Sequence, residues 1–269
     1  MNGPGHDLPV LVTIRFSHYC EKARWALSRA NLSFHEDFHA PLFHARPVRR
    51  AGGHRTTPVL RMGDRTLADS TDILHFADEN GARLFPSAVA DPAARAEVER
   101  TEAHFDERLG PAVRRWIYFH LFQLPSPYVV ELFRSAAPPG ERAWVRPLFP
   151  LVRLGMKWSL KIDAAGAERS RCALDEVLAK VEARLATGAR YLVGDAFTAA
   201  DLTFAALYAP LVGPPEYGAP LPGFATLPEP FASLRDAAIA RPAGQFALRL
   251  YRDHRAERLA PPPRVPAST

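Results

Sequence analysis

The run Phe16-Ser17-His18-Tyr19-Cys20-Glu21-Lys22-Ala23-Arg24 sets a hydroxyl and a thiol three positions apart where a β-branched strand gives way to a helix. The first backbone N–H groups of a helix lack intrahelical partners, and together with the helix dipole they favour an anion such as a thiolate or a carboxylate. In that setting Ser17 offers an O–H to a bound sulfur anion, whereas Cys20 lies further along the helix and is less accessible. The same residues also permit a plainer role, with Ser17 as a helix cap and Cys20 as core filling. Thr57-Pro58 is the second feature. Proline is tolerated as the opening residue of a strand, and a cis bond there would turn the Thr57 backbone outward as a docking edge, although trans is the rule for X-Pro bonds. Asp69-Ser70 is the third, at the start of a helix. Capping is its ordinary task, and the same free N–H groups with the Ser70 hydroxyl suit a ligand carboxylate while Asp69 suits an ammonium.

The elements that must position these groups follow from hydrophobic period. Residues 10–16 read as a short buried strand, and residues 20–30 as a helix with Cys20, Ala23, Leu27 and Ala30 on one stripe. A weakly alternating strand over 33–38 leads into a His- and Arg-rich connection with a short helix, ending at Gly52-Gly53. Residues 58–62 and 65–68 flank Gly63-Asp64 as a hairpin, and Asp69-Ser70 opens a helix that Gly81 ends. The order β-α-β-α-β-β-α describes a compact α/β unit over residues 1–85.

Residues 85–91 carry turn formers and read as a linker. Beyond it the pattern is helical throughout, with helices predicted at 92–122, 141–162, 167–187, 198–212, 229–240 and 242–258. Gly110-Pro111 should kink or split the first of them. These helices form a second unit over residues 91–258, and residues 259–269 read as a disordered tail. Cys172 falls among helical residues and is expected to be a buried core thiol.

Bulk composition narrows the function classes. The net charge of +5 comes from arginines spread along the chain, so nucleic acid is not an expected partner. Two cysteines do not make a disulfide scaffold. There is neither an apolar leader segment nor a membrane-length apolar run, and a soluble cytoplasmic protein is expected. His35, His39, His44 and His54 lack metal-ligand spacing, so no metal site is expected.

In order and separation, Ser17 to Arg24 with its S-x-x-C-x-x-x-R spacing, Thr57-Pro58-Val59-Leu60 and Asp69-Ser70-Thr71-Asp72-Ile73-Leu74 resemble the glutathione transferase family over about residues 10–80. A fourth likeness is Phe197-Thr198-Ala199-Ala200-Asp201-Leu202, a capping box with a hydrophobic staple whose task is to start a helix. The resemblance implies an α/β thioredoxin-like N-terminal domain that binds glutathione, followed by an all-α helical-bundle domain that holds a hydrophobic cosubstrate. It implies that Ser17 interacts with the glutathione sulfur and that Pro58 is the family's cis-proline. The Thr57 backbone would pair with the cysteinyl part, Asp69-Ser70 would hold the γ-glutamyl end, and Tyr19 would be a further contact. Thr56 stands where many members carry a basic or amide residue, which leaves His54 or Arg55 for the glycyl carboxylate.

The activity so implied is activation of the glutathione thiol for attack on an apolar electrophile, as in detoxification, with glutathione as cosubstrate and no other cofactor. A homodimer is expected on the same ground. Ser17 replaces the first cysteine of the thioredoxin C-x-x-C, so disulfide exchange between two cysteines of this motif is excluded. Two alternatives stand beside this reading: a glutathione-dependent thiol reductase using Cys20, and a non-catalytic carrier of hydrophobic ligands. The segment 116–162 is unusually aromatic and is expected to contribute to a large apolar pocket or to ordinary helix core. Its interleaved Arg142, Arg146, Arg153, Lys157 and Lys161 are also compatible with a membrane-surface helix, although contact with a membrane is not the expected reading.

Overall fold

A computed structural model describes residues 8–219 and 228–259. Its first unit runs β1 (Val10–Thr13), α1 (His18–Arg29), β2 (His35–Phe38), α2 (Ala45–Arg50), β3 (Val59–Met62), β4 (Arg65–Leu67) and α3 (Ser70–Ala77). The strands form one sheet in the order β2-β1-β3-β4, with β1 parallel to β2 and antiparallel to β3. Met62 faces Arg65 across the hairpin, whose turn needs Gly63 at φ 58°. Leu11, Ala23, Leu27, Leu60 and Ile73 pack the sheet against α1 and α3. Val12, Val48, Ala51 and Val59 form a second apolar cluster.

β1 stops at Thr13 rather than at residue 16, because the Ser17 N–H turns back to the Ile14 carbonyl at 3.0 Å. That turn sets Ser17 at the head of α1.

The helices of the second unit are α4 (Pro92–His104), α5 (Gly110–Leu121), α6 (Ser126–Ala136), α7 (Pro139–Ser159), α8 (Ala164–Ala186), α9 (Ala199–Val212), α10 (Phe231–Ala240) and α11 (Pro242–His254). The chain is thus an α/β thioredoxin-like domain followed by an all-α helical-bundle domain. The expected break at Gly110-Pro111 is a π-type turn, Phe105–Leu109, just ahead of it. Pro111 removes an amide donor there, and a side chain at Gly110 would collide with the Tyr19 ring. α9 lies at the centre, buried apart from Pro210. Asp201 closes the capping box at its start and also accepts the Leu192 N–H at 2.9 Å.

Three readings of the sequence need correction. No helix was expected over Ser126–Ala136; Pro125 and Pro127 sit at the N-terminus of α6, where a missing amide donor costs nothing. Cys172 is exposed rather than buried: α8 presents Ala167, Ser170, Leu174, Val177, Leu178 and Val181 inward, and Cys172 lies off that stripe. Leu259, assigned to the tail, gives its N–H to the Arg29 carbonyl at 2.7 Å; the rest of the tail, 260–269, lies outside the described residues.

Charged side chains of α1 join the two units. Lys22 is fully buried and reaches Glu102, Asp106 at 2.6 Å and the Thr71 hydroxyl at 3.0 Å. Glu21, also buried, accepts from Arg255 at 2.7 Å and from the Gly218 N–H at 3.1 Å. Burial of such charges is tolerated because each is paired.

Candidate active site

A cavity of about 470 Å³ opens where the C-terminal edge of β1 faces the helical unit. Its sheet-side wall carries Ile14, Phe16, Ser17, Tyr19, Arg55 and Thr57, and its opposite wall Arg114, Tyr118, Leu121, Leu132, Phe133 and Met156. Of the residues selected from the sequence, Ser17, Tyr19, Arg55 and Thr57 come together on one wall. The Thr57–Pro58 bond is cis, and Pro58 is buried behind Thr57. His54 is exposed and does not line the cavity. Asp69 caps α3 by accepting the Thr71 N–H at 2.7 Å, and Ser70 beside it is buried; neither lines the cavity.

Ser17 is the N-cap of α1, and its hydroxyl accepts the Cys20 N–H over a long 3.4 Å. An accepting hydroxyl still has its own proton to give, so capping and donation to an anion are compatible. Cys20 has no exposed surface. Burial pushes its thiol pKa up, against the opposing influence of Arg24 and of contacts to Ser17, Thr57 and Ile14. Tyr19 gives its hydroxyl proton to the Asp106 carbonyl at 2.9 Å, and burial raises its phenol further from ionisation.

Three further polar groups line the cavity: Arg114 and His18, which sequence reasoning missed, and Tyr118, from the aromatic segment 116–162 expected to contribute to a pocket. Arg114 stands over the Tyr19 ring at 5.8 Å and makes no ion pair among the described residues. Burial pushes the Tyr118 phenol up to about 12, so that hydroxyl stays protonated. Burial, with Arg114 adding, pushes His18 down to about 3 and keeps it neutral. The available signal was spacing: Arg114, Ile117, Tyr118 and Leu121 recur at i, i+3, i+4 and i+7, one face of a helix. Among the described residues, no group of three or more His, Cys, Asp or Glu side chains converges as a metal site would.

Residues 11–83 match the family model for the glutathione S-transferase N-terminal domain, and residues 164–236 match that for the glutathione S-transferase C-terminal domain. The chain belongs to the glutathione S-transferase family. Similar solved structures include a theta class glutathione S-transferase from the citrus canker pathogen Xanthomonas axonopodis pv. citri with glutathione bound, 20% identical over 89% of this chain and 96% of that one, with a TM-score of 0.51. A beta-etherase from Sphingobium is 19% identical over 90% of this chain and 99% of its own, with a TM-score of 0.53. A glutathione S-transferase from Xanthobacter autotrophicus is 18% identical over 90% and 91%, with a TM-score of 0.55. At these identities the likeness is one of fold. No curated protein matches the chain. Between the two matched segments of this glutathione S-transferase lie α4, α5, α6 and α7, the last three of which line the helical side of the cavity.

Proposed function

We propose that this glutathione S-transferase conjugates the sulfur of glutathione to an apolar electrophile held in the cavity, with Ser17 as the hydrogen-bond donor to the thiolate. The observation that carries this reading is the position of Ser17, at the head of α1 and on the wall of a cavity whose far side is mostly apolar, with Arg114 and Tyr118 as its polar groups. A free thiol has a pKa of about 8.5 and is only a few per cent ionised at pH 7, so holding the thiolate form supplies a nucleophile that is otherwise scarce. The Ser17 O–H, the N–H groups at the α1 N-terminus and the charge of Arg114, which has no ion pair among the described residues, all favour that anion. The Thr57 backbone takes the cysteinyl part, Asp69 and Ser70 the γ-glutamyl end, and Arg55 the glycyl carboxylate. Arg55 is preferred to His54 because it lines the cavity.

The reductase alternative asks Cys20 to attack as a thiolate, and its burial and raised pKa weigh against that. Titration with glutathione by calorimetry tests the reading. Saturable binding that weakens in Asp69→Ala is expected; absence of binding would leave the carrier reading in its place.

A further inference from the structure

Helix α7 is apolar on two opposite sides. At about 100° per residue, Val145, Phe149, Val152 and Met156 share the face turned into the protein. Trp144, Pro147, Leu151, Leu154 and Trp158 fall within an arc of roughly 80° on the opposite face. This outer face is open: Trp144 is 60%, Leu151 59%, Leu154 66% and Trp158 83% exposed. The two tryptophans stand about 20 Å apart along the helix axis. Surface apolar residues scattered singly are ordinary, but a contiguous stripe of large ones on one helix marks a binding surface.

Charge identifies what binds. Arg142, Arg146, Arg153, Lys157 and Lys161 occur over 142–162 with no Asp or Glu among them. Glu141, just before this stretch, is engaged by His39 and the Ala40 N–H. Arg142 and Arg153 give N–H groups to the Ala137 and Phe122 carbonyls, and Arg146 and Lys157 lie on the flank beside the apolar stripe. A second copy docking by two-fold symmetry would bring these cations against their own equivalents. An anionic lipid surface satisfies both features, because tryptophan favours the bilayer interface and Lys and Arg meet the headgroups.

We propose that the outer face of α7 docks this protein on the surface of an anionic lipid bilayer. Among the described residues no helix is long and apolar enough to cross a membrane, so the attachment is peripheral. Met156 and Ser159 line the cavity from the same helix, which places docking surface and cavity on either side of α7. The inference is independent of the chemistry assigned to the cavity.

The test is flotation of the full-length protein with vesicles of phosphatidylcholine alone and of phosphatidylcholine mixed with phosphatidylserine. Binding to the mixed vesicles and much weaker binding to the neutral ones is expected. Trp144→Ser combined with Trp158→Ser should weaken it by about tenfold or more. Lys157→Gln should weaken it roughly fivefold. Circular dichroism and the thermal midpoint check that each variant is folded, and since the replaced side chains are exposed no loss is expected. Failure of the wild type to float with mixed vesicles, equal binding to both compositions, or undiminished binding of the double variant would overturn the proposal. So would sedimentation showing a dimer that the double variant abolishes.

Discussion

The two walls of the cavity hold their groups in different ways. On the sheet side, single residues at fixed backbone positions matter: Ser17 at the head of α1 and Thr57 before a cis-proline on the wall itself, and Asp69 at the head of α3 outside its lining. Each sits where a turn or helix terminus leaves main-chain groups unpaired, and a shift of one residue would misplace it. On the helical side, Ile117, Leu121, Leu132 and Phe133 contribute area and shape, and neighbouring apolar residues of similar volume would serve nearly as well. A polar wall specifies by position and an apolar wall by volume, so substitutions on the two should fail differently.

The sharpest contrast is expected from Ser17→Ala, which should lower kcat at saturating glutathione by about two orders of magnitude while glutathione affinity changes little. Cys20→Ala should keep most of the turnover; steady-state kinetics on both variants decides between hydroxyl and thiol. Next comes Asp201→Ala, which removes the carboxylate that accepts from Thr198 and Leu192. It should destabilise the protein by about 3 kcal/mol in urea unfolding and leave the glutathione titration of the folded protein unchanged.

A smaller effect concerns His18. Burial keeps its imidazole neutral down to about pH 3, whereas in the unfolded chain it takes up a proton near 6.5. The folded state therefore binds fewer protons in that window, and its stability falls as pH drops through it. His18→Gln should remove about 2 kcal/mol of the stability loss between pH 6.5 and about pH 5, read from unfolding midpoints. The smallest effect belongs to the apolar wall. Leu132→Ala should raise KM for the apolar cosubstrate about fivefold with KM for glutathione unchanged. Equal changes in both constants would erase the distinction between the walls.

The same contrast explains what was legible in the sequence. The sheet side carries short-range signals: S-x-x-C after a strand, Thr-Pro opening a strand, Asp-Ser opening a helix, and Gly63-Asp64 in a hairpin. Backbone geometry fixes their residue types, so they stand out. The capping box at Thr198 and Asp201 was readable for the same reason. The helical wall has no such punctuation. The aromatic run over 116–162 pointed to a pocket here without saying which faces form it; the face on α5 follows only from spacing, and α6, which opens with Pro125 and Pro127 at its start, was not assigned. The buried network of Lys22, Glu102 and Asp106 joins residues about eighty positions apart, and nothing local in the sequence marks that pairing. Cys172 was misplaced because helical context was read without the direction of its face.

The central claim is that Ser17 holds the sulfur of bound glutathione as a thiolate. It is tested most directly by titrating the thiolate absorbance of the glutathione complex against pH in the wild type and in Ser17→Ala. The account predicts a bound thiol pKa at least about one unit below the free value in the wild type and a return toward about 8.5 in the variant. Equal pKa values in the two complexes would contradict it.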